Sequence, residues 1–151
     1  NHPECTSSLV DMDEGTAFHE ILDDTSDVRK ANEHIDRLIF CSGKVFYDLD
    51  KHRTEADLNN AAIIRIEQMY PWYAAKIKEI ASRYPNASKW VWCQEEPLNM
   101  GAWSFVWSRL EKIAGHRVRY AGRVSAASPS TGSKAIHKRE QKDLVERAFN
   151  V

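Results

Sequence analysis

Three short stretches of this 151-residue chain place polar side chains directly after apolar runs, a common position for binding and catalytic groups. The first is CSGK, Cys41–Lys44, where free backbone N–H groups and the dipole of a following helix favour an anion. That helix also carries His52 and Arg53, which could assist Lys44. Phosphate binding and a solvated face with a Lys44–Asp48 pair both remain open, since the phosphate-loop spacing GxxxxGK[ST] is absent.

The second stretch, QEEP, places Glu95 and Glu96 side by side after the apolar run WVWC. Two carboxylates can divide the roles of acid and base when their surroundings separate their pKa values. Adjacent residues of an extended chain point to opposite sides, however, so these two are poorly placed to share one substrate. We therefore expect them to cap and charge the start of the next helix, which Trp103 anchors.

The third stretch is the basic segment RVRYAGR, in which Arg119 and Arg123 could bind a phosphate or carboxylate in bidentate fashion. The alternative is that these two arginines pair with the acidic N-terminal arm or, like Arg65, with Glu95 or Glu96 across neighbouring strand ends. The loop SAASPSTGS that follows could line a ligand or be a plain surface loop. No HExxH, GxSxG or GxGxxG spacing occurs, so no metal site and no catalytic residues are predicted.

The elements that must position these residues follow from the apolar pattern. Four short apolar runs lie roughly two dozen residues apart and predict strands: LIFC, AAIIRI, WVWC and VRYAG. Three- and four-residue periodicities between and after them predict helices, most clearly from Trp103 to Ala114. This alternation predicts an α/β fold, a mainly parallel sheet of about five strands with helices on both faces.

Composition limits the class of protein. A formal net charge of -1 argues against a dedicated nucleic-acid binder, and no apolar run approaches the ~20 residues of a membrane span. Three cysteines without CxxC spacing indicate free thiols, two of them buried in apolar runs, in a reducing compartment. Residues 1–37 are polar and acidic and are predicted to be a connecting arm, with the α/β domain at 38–151. The start without methionine fits a piece of a longer protein.

Four segments of this sequence carry a resemblance to a known family: CSGKVFYDL, AIIRIEQMYPW, VWCQEEPLNMGAW and RYAGRVSAASPSTGSKAIHKREQKDLVERAF. Together they resemble the C-terminal domain of the decarboxylase (first) component of the 2-oxoglutarate dehydrogenase complex. The resemblance implies a fold similar to the C-terminal domain of transketolase-like enzymes. It also implies a parent enzyme that uses thiamine diphosphate and magnesium, decarboxylates 2-oxoglutarate in the tricarboxylic acid cycle, and passes the succinyl group to a lipoyl arm.

The same resemblance implies a homodimer that works with acyltransferase (lipoyl) and dihydrolipoyl dehydrogenase components in the bacterial cytoplasm or mitochondrial matrix. The cofactor signature from Gly-Asp-Gly to an Asn pair is absent, so we expect this chain alone to be inactive. Some family members bind AMP or acetyl-CoA at an allosteric site bordering this domain. We expect Lys44 to bind such a phosphate with His52 and Arg53 nearby, and Arg119 and Arg123 are the second choice. The same domain of a 2-oxoadipate enzyme, and a free-standing nucleotide- or acyl-CoA-sensing module, are the alternatives.

Overall fold

The computed structural model describes residues 5–151, which form one five-stranded sheet flanked by four α-helices. The strands are β1 Ile21–Leu22, β2 Arg37–Cys41, β3 Ala61–Ile66, β4 Lys89–Pro97 and β5 Val118–Arg123. The helices are α1 Val45–Glu55, α2 Ala74–Ser82, α3 Trp103–Ala114 and α4 Lys134–Asn150, with short 3-10 turns at Leu9–Met12 and Asn32–His34. β2 to β5 are parallel and β1 is antiparallel to β3. The predicted fold class is confirmed.

The near-continuous apolar strands are explained by cores on both faces of the sheet. Phe40 and Trp92 pack with Leu110 on the side covered by α2 and α3. Ile39 packs with Leu144 on the opposite side, which α1 and α4 cover. A strand buried on both faces has no polar alternation, which is why β2 reads as five buried residues in succession. None of the helices in residues 5–151 is long and apolar enough to cross a membrane.

The order of the strands reverses at the centre of the sheet. In the order β1-β3-β2-β4-β5, the chain moves from β2 outward to β3, returns across β2 to β4, and continues outward to β5. The carboxyl ends of β2 and β4 therefore lie side by side where the chain direction switches, the usual ligand-binding crevice of open α/β sheets. The CSGK and QEEP stretches both meet at this switch point.

The second half of the predicted arm belongs structurally to the sheet. Ile21 of β1 pairs with Ile66 of β3, and Asp24 is buried, whereas residues 5–19 are exposed. The second half of the arm therefore contributes the edge strand β1 and the buried carboxylate of Asp24 to the α/β unit. The domain boundary at residue 37 stays a prediction.

The three cysteines are all free thiols. Cys41 and Cys93 are buried on neighbouring strands and Cys5 is exposed, which confirms the expectation from their positions in the sequence. Burial raises the pKa of the Cys41 and Cys93 thiols, so both remain protonated and poorly reactive. These two side chains act as small apolar groups in the core.

Candidate functional site

An ionic network of four side chains spans the switch point; we refer to Lys44, Asp48, Glu95 and Gln141 as the edge network. Lys44 follows β2 directly before α1, and its Nζ lies 2.7 Å from Glu95 Oε1 of β4 and 3.7 Å from Asp48 Oδ2 of α1. Gln141 of α4 donates to Glu95 Oε1 at 2.9 Å and to Asp48 Oδ2 at 2.7 Å. One strand and two helices are thus tied together at the carboxyl edge of the sheet.

The edge network keeps Lys44 charged while leaving it open to solvent. Partial burial by itself lowers the pKa of Lys44, but the hydrogen bond and negative charge of Glu95, with a contribution from Asp48, outweigh it and raise the pKa overall. The Lys44 side chain is 62% exposed. Any anion that approaches this lysine must therefore compete with Glu95 rather than with a desolvation barrier.

A cavity of about 610 Å³ opens beside Glu95, at the carboxyl ends of β4 and β5. Arg123 forms part of its wall, with Nε 2.6 Å from Glu140 Oε2 and Nη1 donating to the carbonyl oxygen of Pro129 at 2.8 Å. The guanidinium thereby fixes the small-residue loop against the start of α4. The lining combines carboxylates, cations and this loop: Glu95, Glu96, Arg123, Pro129, Ser130, Thr131, Gly132, Ser133, Lys134 and His137.

Gln94, not the two acids after it, meets the start of α3. The buried Gln94 amide oxygen accepts hydrogen bonds from Trp92 Nε1 and from the backbone N–H of Trp103, both at 2.9 Å. Its nitrogen donates to the carbonyl oxygen of Met100 at 2.8 Å. A Cβ on Gly101, whose φ is +66°, would lie 2.9 Å from that nitrogen, so only glycine fits beside it. The expectation that Glu95 and Glu96 cap α3 was wrong, whereas Trp103 does begin the helix.

The expected pairing of Glu95 or Glu96 with arginines is also replaced by other contacts. Glu95 pairs with Lys44, and Glu96 is exposed and has no ion pair among residues 5–151. The parallel register between β4 and β5 shifts after Cys93 and places Arg123 opposite Pro97. Arg123 therefore reaches Glu140 of α4 instead of Glu95.

Arg65 also turns away from the acids of β4. Its guanidinium lies 4.4 Å above the ring of Phe46, and Nε is 3.8 Å from Glu67. Phe46 belongs to the first turn of α1, so this arginine covers the helix start beside β3. Arg65 thus contacts α1 and Glu67, and it is not among the residues that line the cavity.

The structure separates the predicted helpers of Lys44 from it. Because α1 rises ~1.5 Å per residue, His52 and Arg53 lie roughly 12–13 Å further along its axis. Arg53 is fully buried and bound to both Asp24 and Asp50, so its guanidinium is closed to an effector. The partly buried His52 ring packs on Phe149, with centroids 5.5 Å apart. The side chains of His52 and Arg53 are therefore occupied by other contacts, away from Lys44.

Arg119 and Arg123 likewise do not form one pair of cations. They are four residues apart on an extended strand, a separation of about 13 Å. Exposed Arg119 lines a different cavity together with Trp103 and Trp107. Of the arginines and lysines singled out in the sequence, Lys44 pairs with Glu95 and Arg123 lines the cavity beside it, and the cavity adds Lys134 to them. The helix-start position of Lys134 after a Gly-Ser pair was the signal that could have identified it.

The described residues show no cluster of metal-ligand side chains. Within residues 5–151, no group of three or more His, Cys, Asp or Glu side chains is arranged to hold a metal ion. The 151 residues also contain no Gly-Asp-Gly. The resemblance drawn from the sequence motifs implies a parent enzyme that uses thiamine diphosphate, but no step involving that cofactor is assigned to the residues of this chain.

The sheet is mainly parallel and doubly wound, and its ionic network and cavity lie at the switch point. These features define an open α/β domain of the class that binds ligands at the carboxyl edge of the sheet. The family described as 2-oxoglutarate dehydrogenase C-terminal matches residues 6–149. The chain belongs to this family, and the resemblance drawn from its motifs is confirmed.

Individual relatives match along almost the whole chain. It is 43% identical over 151 residues to a Dictyostelium discoideum protein named as a probable 2-oxoadipate dehydrogenase complex component E1 homolog. It is 40% identical over 148 residues to the 2-oxoglutarate dehydrogenase E1 component of Cupriavidus necator, and 36% identical over 154 residues to the mitochondrial 2-oxoglutarate dehydrogenase of Caenorhabditis briggsae. These alignments cover 99%, 97% and 99% of this chain but 17%, 15% and 15% of the relatives. The chain thus spans about a sixth of their length.

Proposed function

We propose that this chain is the C-terminal domain of a 2-oxoglutarate dehydrogenase first component. The parent enzyme decarboxylates 2-oxoglutarate with thiamine diphosphate and transfers the succinyl group to a lipoyl arm. The family match over residues 6–149 is the observation that carries this proposal. The domain contributes a rigid, doubly covered sheet and a charged edge, and the reacting groups belong to other parts of the enzyme.

A parent enzyme that acts on 2-oxoadipate is the second candidate. The 43% identity to the Dictyostelium protein favours it, against 36–40% for the relatives named for 2-oxoglutarate. The two substrates differ by one methylene. Steady-state rates of the intact enzyme with each substrate decide between the two, and kcat/KM at least ten-fold higher for 2-oxoadipate would overturn the first assignment.

The proposed assembly is a homodimer that works with acyltransferase and dihydrolipoyl dehydrogenase components. The name of the Dictyostelium relative, a complex component, supports an assembly of this kind. The location is the bacterial cytoplasm or the mitochondrial matrix, consistent with a bacterial relative and a mitochondrial one. A free-standing nucleotide- or acyl-CoA-sensing module is the alternative. An immunoblot of the native protein separates the enzyme from the module, because the enzyme would have a molecular mass several times that of 151 residues.

Within this enzyme, the cavity beside Glu95 is the proposed site for an anionic effector such as AMP or acetyl-CoA. Arg123 and Lys134 line this cavity together with Glu95, and Lys44 lies next to it because it pairs with Glu95 at 2.7 Å. Lys134 is at the start of α4, where the helix dipole adds positive potential. A volume of about 610 Å³ is of the size that small-molecule pockets have. The effector phosphate would replace Glu95 as the partner of Lys44.

The test is calorimetric titration of the intact enzyme with acetyl-CoA and AMP. Lys44→Ala is expected to weaken binding by about ten-fold, the effect of losing one charge-assisted hydrogen bond. Lys51→Ala is the matched control, because Lys51 is an equally exposed lysine of α1 whose partner is Glu55. Equal affinities for the wild type and Lys44→Ala would remove Lys44 from the site.

A further inference from the structure

Two free thiols lie next to each other on the central strands β2 and β4. The parallel pairing of these strands places Phe40 opposite Trp92, and Cys41 and Cys93 are the next residue of each strand. Both cysteines belong to the core on the α1 and α4 side of the sheet, so their side chains point to the same face. Neighbouring strands lie about 4.8 Å apart, within the range of about 4.4–6.8 Å between Cα atoms that a disulfide bridges.

The burial of this pair does not depend on any further part of a longer chain. Both cysteines are 0% exposed within residues 5–151, and additional residues can only cover them further. Burial raises the pKa of both thiols, and the neighbouring Cys93 raises the pKa of Cys41 further, as expected for adjacent sulfur atoms. While they stay covered, both are therefore protonated and protected from oxidants.

The edge network follows the thiol pair toward the carboxyl edge of the sheet. Glu95 comes two residues after Cys93 on β4, and its contacts with α1 and α4 place it on the same face. Lys44 comes three residues after Cys41 and binds Glu95 at 2.7 Å. After burial, the negative charges of Glu95 and Asp48 are the causes that raise the pKa of Cys93. The edge network therefore disfavours the reactive thiolate of the pair that it adjoins.

We infer that Cys41 and Cys93 are a redox pair that forms a reversible disulfide when the contact between Lys44 and Glu95 breaks. The oxidant is a hydroperoxide such as hydrogen peroxide. One thiol loses its proton and attacks the O–O bond of the peroxide, which gives a sulfenic acid and one water. The second thiol attacks that sulfur, the S–S bond forms, and a second water leaves. The two thiols lose two electrons and two protons, and one peroxide becomes two waters.

The disulfide links the two central strands at the switch point of the sheet. Closing it requires the two Cβ atoms to approach to about 3.8 Å, which is closer than the spacing of about 4.8 Å between the strands. The bond is therefore strained, and strained disulfides are the readily reduced, regulatory ones. This inference concerns only the sulfur atoms of the described chain, so it is independent of the proposed function.

Peptide mapping of the intact protein tests the pair. Cleavage after Lys and Arg leaves Cys41 in the peptide of residues 38–44 and Cys93 in the peptide of residues 90–109. The native protein is treated with hydrogen peroxide, its remaining thiols are alkylated, and the digest is analysed by mass spectrometry without reductant. The expected product is the two peptides joined, lighter than their sum by two hydrogen atoms, and dithiothreitol separates them. A non-reducing gel shows that the joined peptides come from one chain.

Glu95→Gln tests the control by the edge network. Removal of the negative charge favours the Cys93 thiolate and breaks the ion pair with Lys44, so the joined peptides should form about three-fold faster or more. The matched control is Glu55→Gln, which makes the same change at the last residue of α1, where the partner is Lys51. It should leave the rate of formation unchanged.

Cys41→Ala and Cys93→Ala each remove one partner, so the remaining thiol should proceed to sulfinic acid without joined peptides. The inference is wrong if the wild type gives sulfinic acid at both cysteines instead of the joined peptides. It is equally wrong if both thiols stay unmodified until urea unfolds the protein. A rate for Glu95→Gln that is no higher than for Glu55→Gln also overturns it, because the edge network would then not control the pair.

Discussion

The two ends of α1 carry ion pairs of similar chemistry in opposite environments. Near its start, Lys44 pairs with Glu95 of β4, and the lysine side chain is 62% exposed. Near its end, Arg53 pairs with Asp24 beside β1 and with Asp50 of its own helix, and its side chain is completely buried. Both pairs connect α1 to a distant part of the chain. Only the first remains open to a ligand.

The difference in burial determines what each pair can do. Charge attraction is strong in the interior, but removal of one partner leaves a charge without water or a counter-ion. Asp24 is further fixed because its Oδ2 accepts the backbone N–H of Ile63 at 2.8 Å. Water can replace either partner of the exposed Lys44–Glu95 pair at little cost. The buried pair therefore fixes the fold, and the exposed pair can exchange partners.

Arg53→Met is expected to have the largest effect on stability. It removes the buried guanidinium that binds Asp24 and leaves only Arg29, whose Nε is 4.0 Å from Asp24 Oδ1, so we expect the free energy of unfolding to fall by about 3–5 kcal/mol. Urea denaturation followed by circular dichroism measures the change. Lys51→Met, on the exposed side of the same helix, should change it by no more than about 0.5 kcal/mol. A loss below 1 kcal/mol for Arg53→Met would mean that the two ends of α1 do not differ in this way.

Gln94→Leu is expected to rank second. The leucine fills a similar volume but removes the acceptor of the Trp92 indole N–H and of the Trp103 backbone N–H. Two donors left without partners predict a loss of about 2–4 kcal/mol, and an altered near-ultraviolet circular dichroism signal from Trp92. Gln141→Leu is the control, since Gln141 is a half-buried amide of the edge network whose loss leaves no buried donor. Equal losses for the two glutamine variants would contradict the distinction.

The periodicity of the sequence predicted the fold because each strand and helix has a local apolar pattern. The run AAIIRI reads as a strand buried on both faces, and β3 occupies those residues. The three- and four-residue spacing from Trp103 likewise matches α3, whose Val106 and Leu110 are buried. β1 has only two residues, Ile21 and Leu22, too few for any period to show in the sequence.

The partners of charged residues were harder to predict because they depend on strand register. Lys44 was identified from its position before a helix, but its pairing with Glu95 requires β2 and β4 to be neighbours. The shift in register after Cys93 directs Arg123 to Glu140, and no local signal in the sequence marks it. Arg53 looked like an exposed helix cation because its partner Asp24 lies 29 residues away in sequence.

Lys44→Ala is expected to change stability far less than Arg53→Met. An exposed lysine pair contributes at most about 1 kcal/mol, and Gln141 continues to bind Glu95 at 2.9 Å after the lysine is removed. The same denaturation experiment at low and high salt measures it, and the difference from wild type should shrink as salt screens the pair. A loss above about 2 kcal/mol that is insensitive to salt would make the edge network a structural element like the buried pair.

Glu95→Gln should have the smallest effect on stability and gives the sharpest view of the exposed end. The amide oxygen of glutamine can still accept from Gln141, so we expect the free energy of unfolding to change by no more than about 0.5 kcal/mol. Lys44, however, loses the negative charge that it pairs with at 2.7 Å, and an incoming phosphate no longer has a competitor. The affinity of the intact enzyme for AMP or acetyl-CoA should therefore rise by about 3- to 10-fold. Asp48→Asn, which alters the weaker 3.7 Å partner of the same lysine, should raise it less. Lower affinity in Glu95→Gln would mean that Glu95 binds the effector directly, and β4 would then supply a ligand-binding carboxylate beside the start of α1 instead of an exchangeable counter-ion for Lys44.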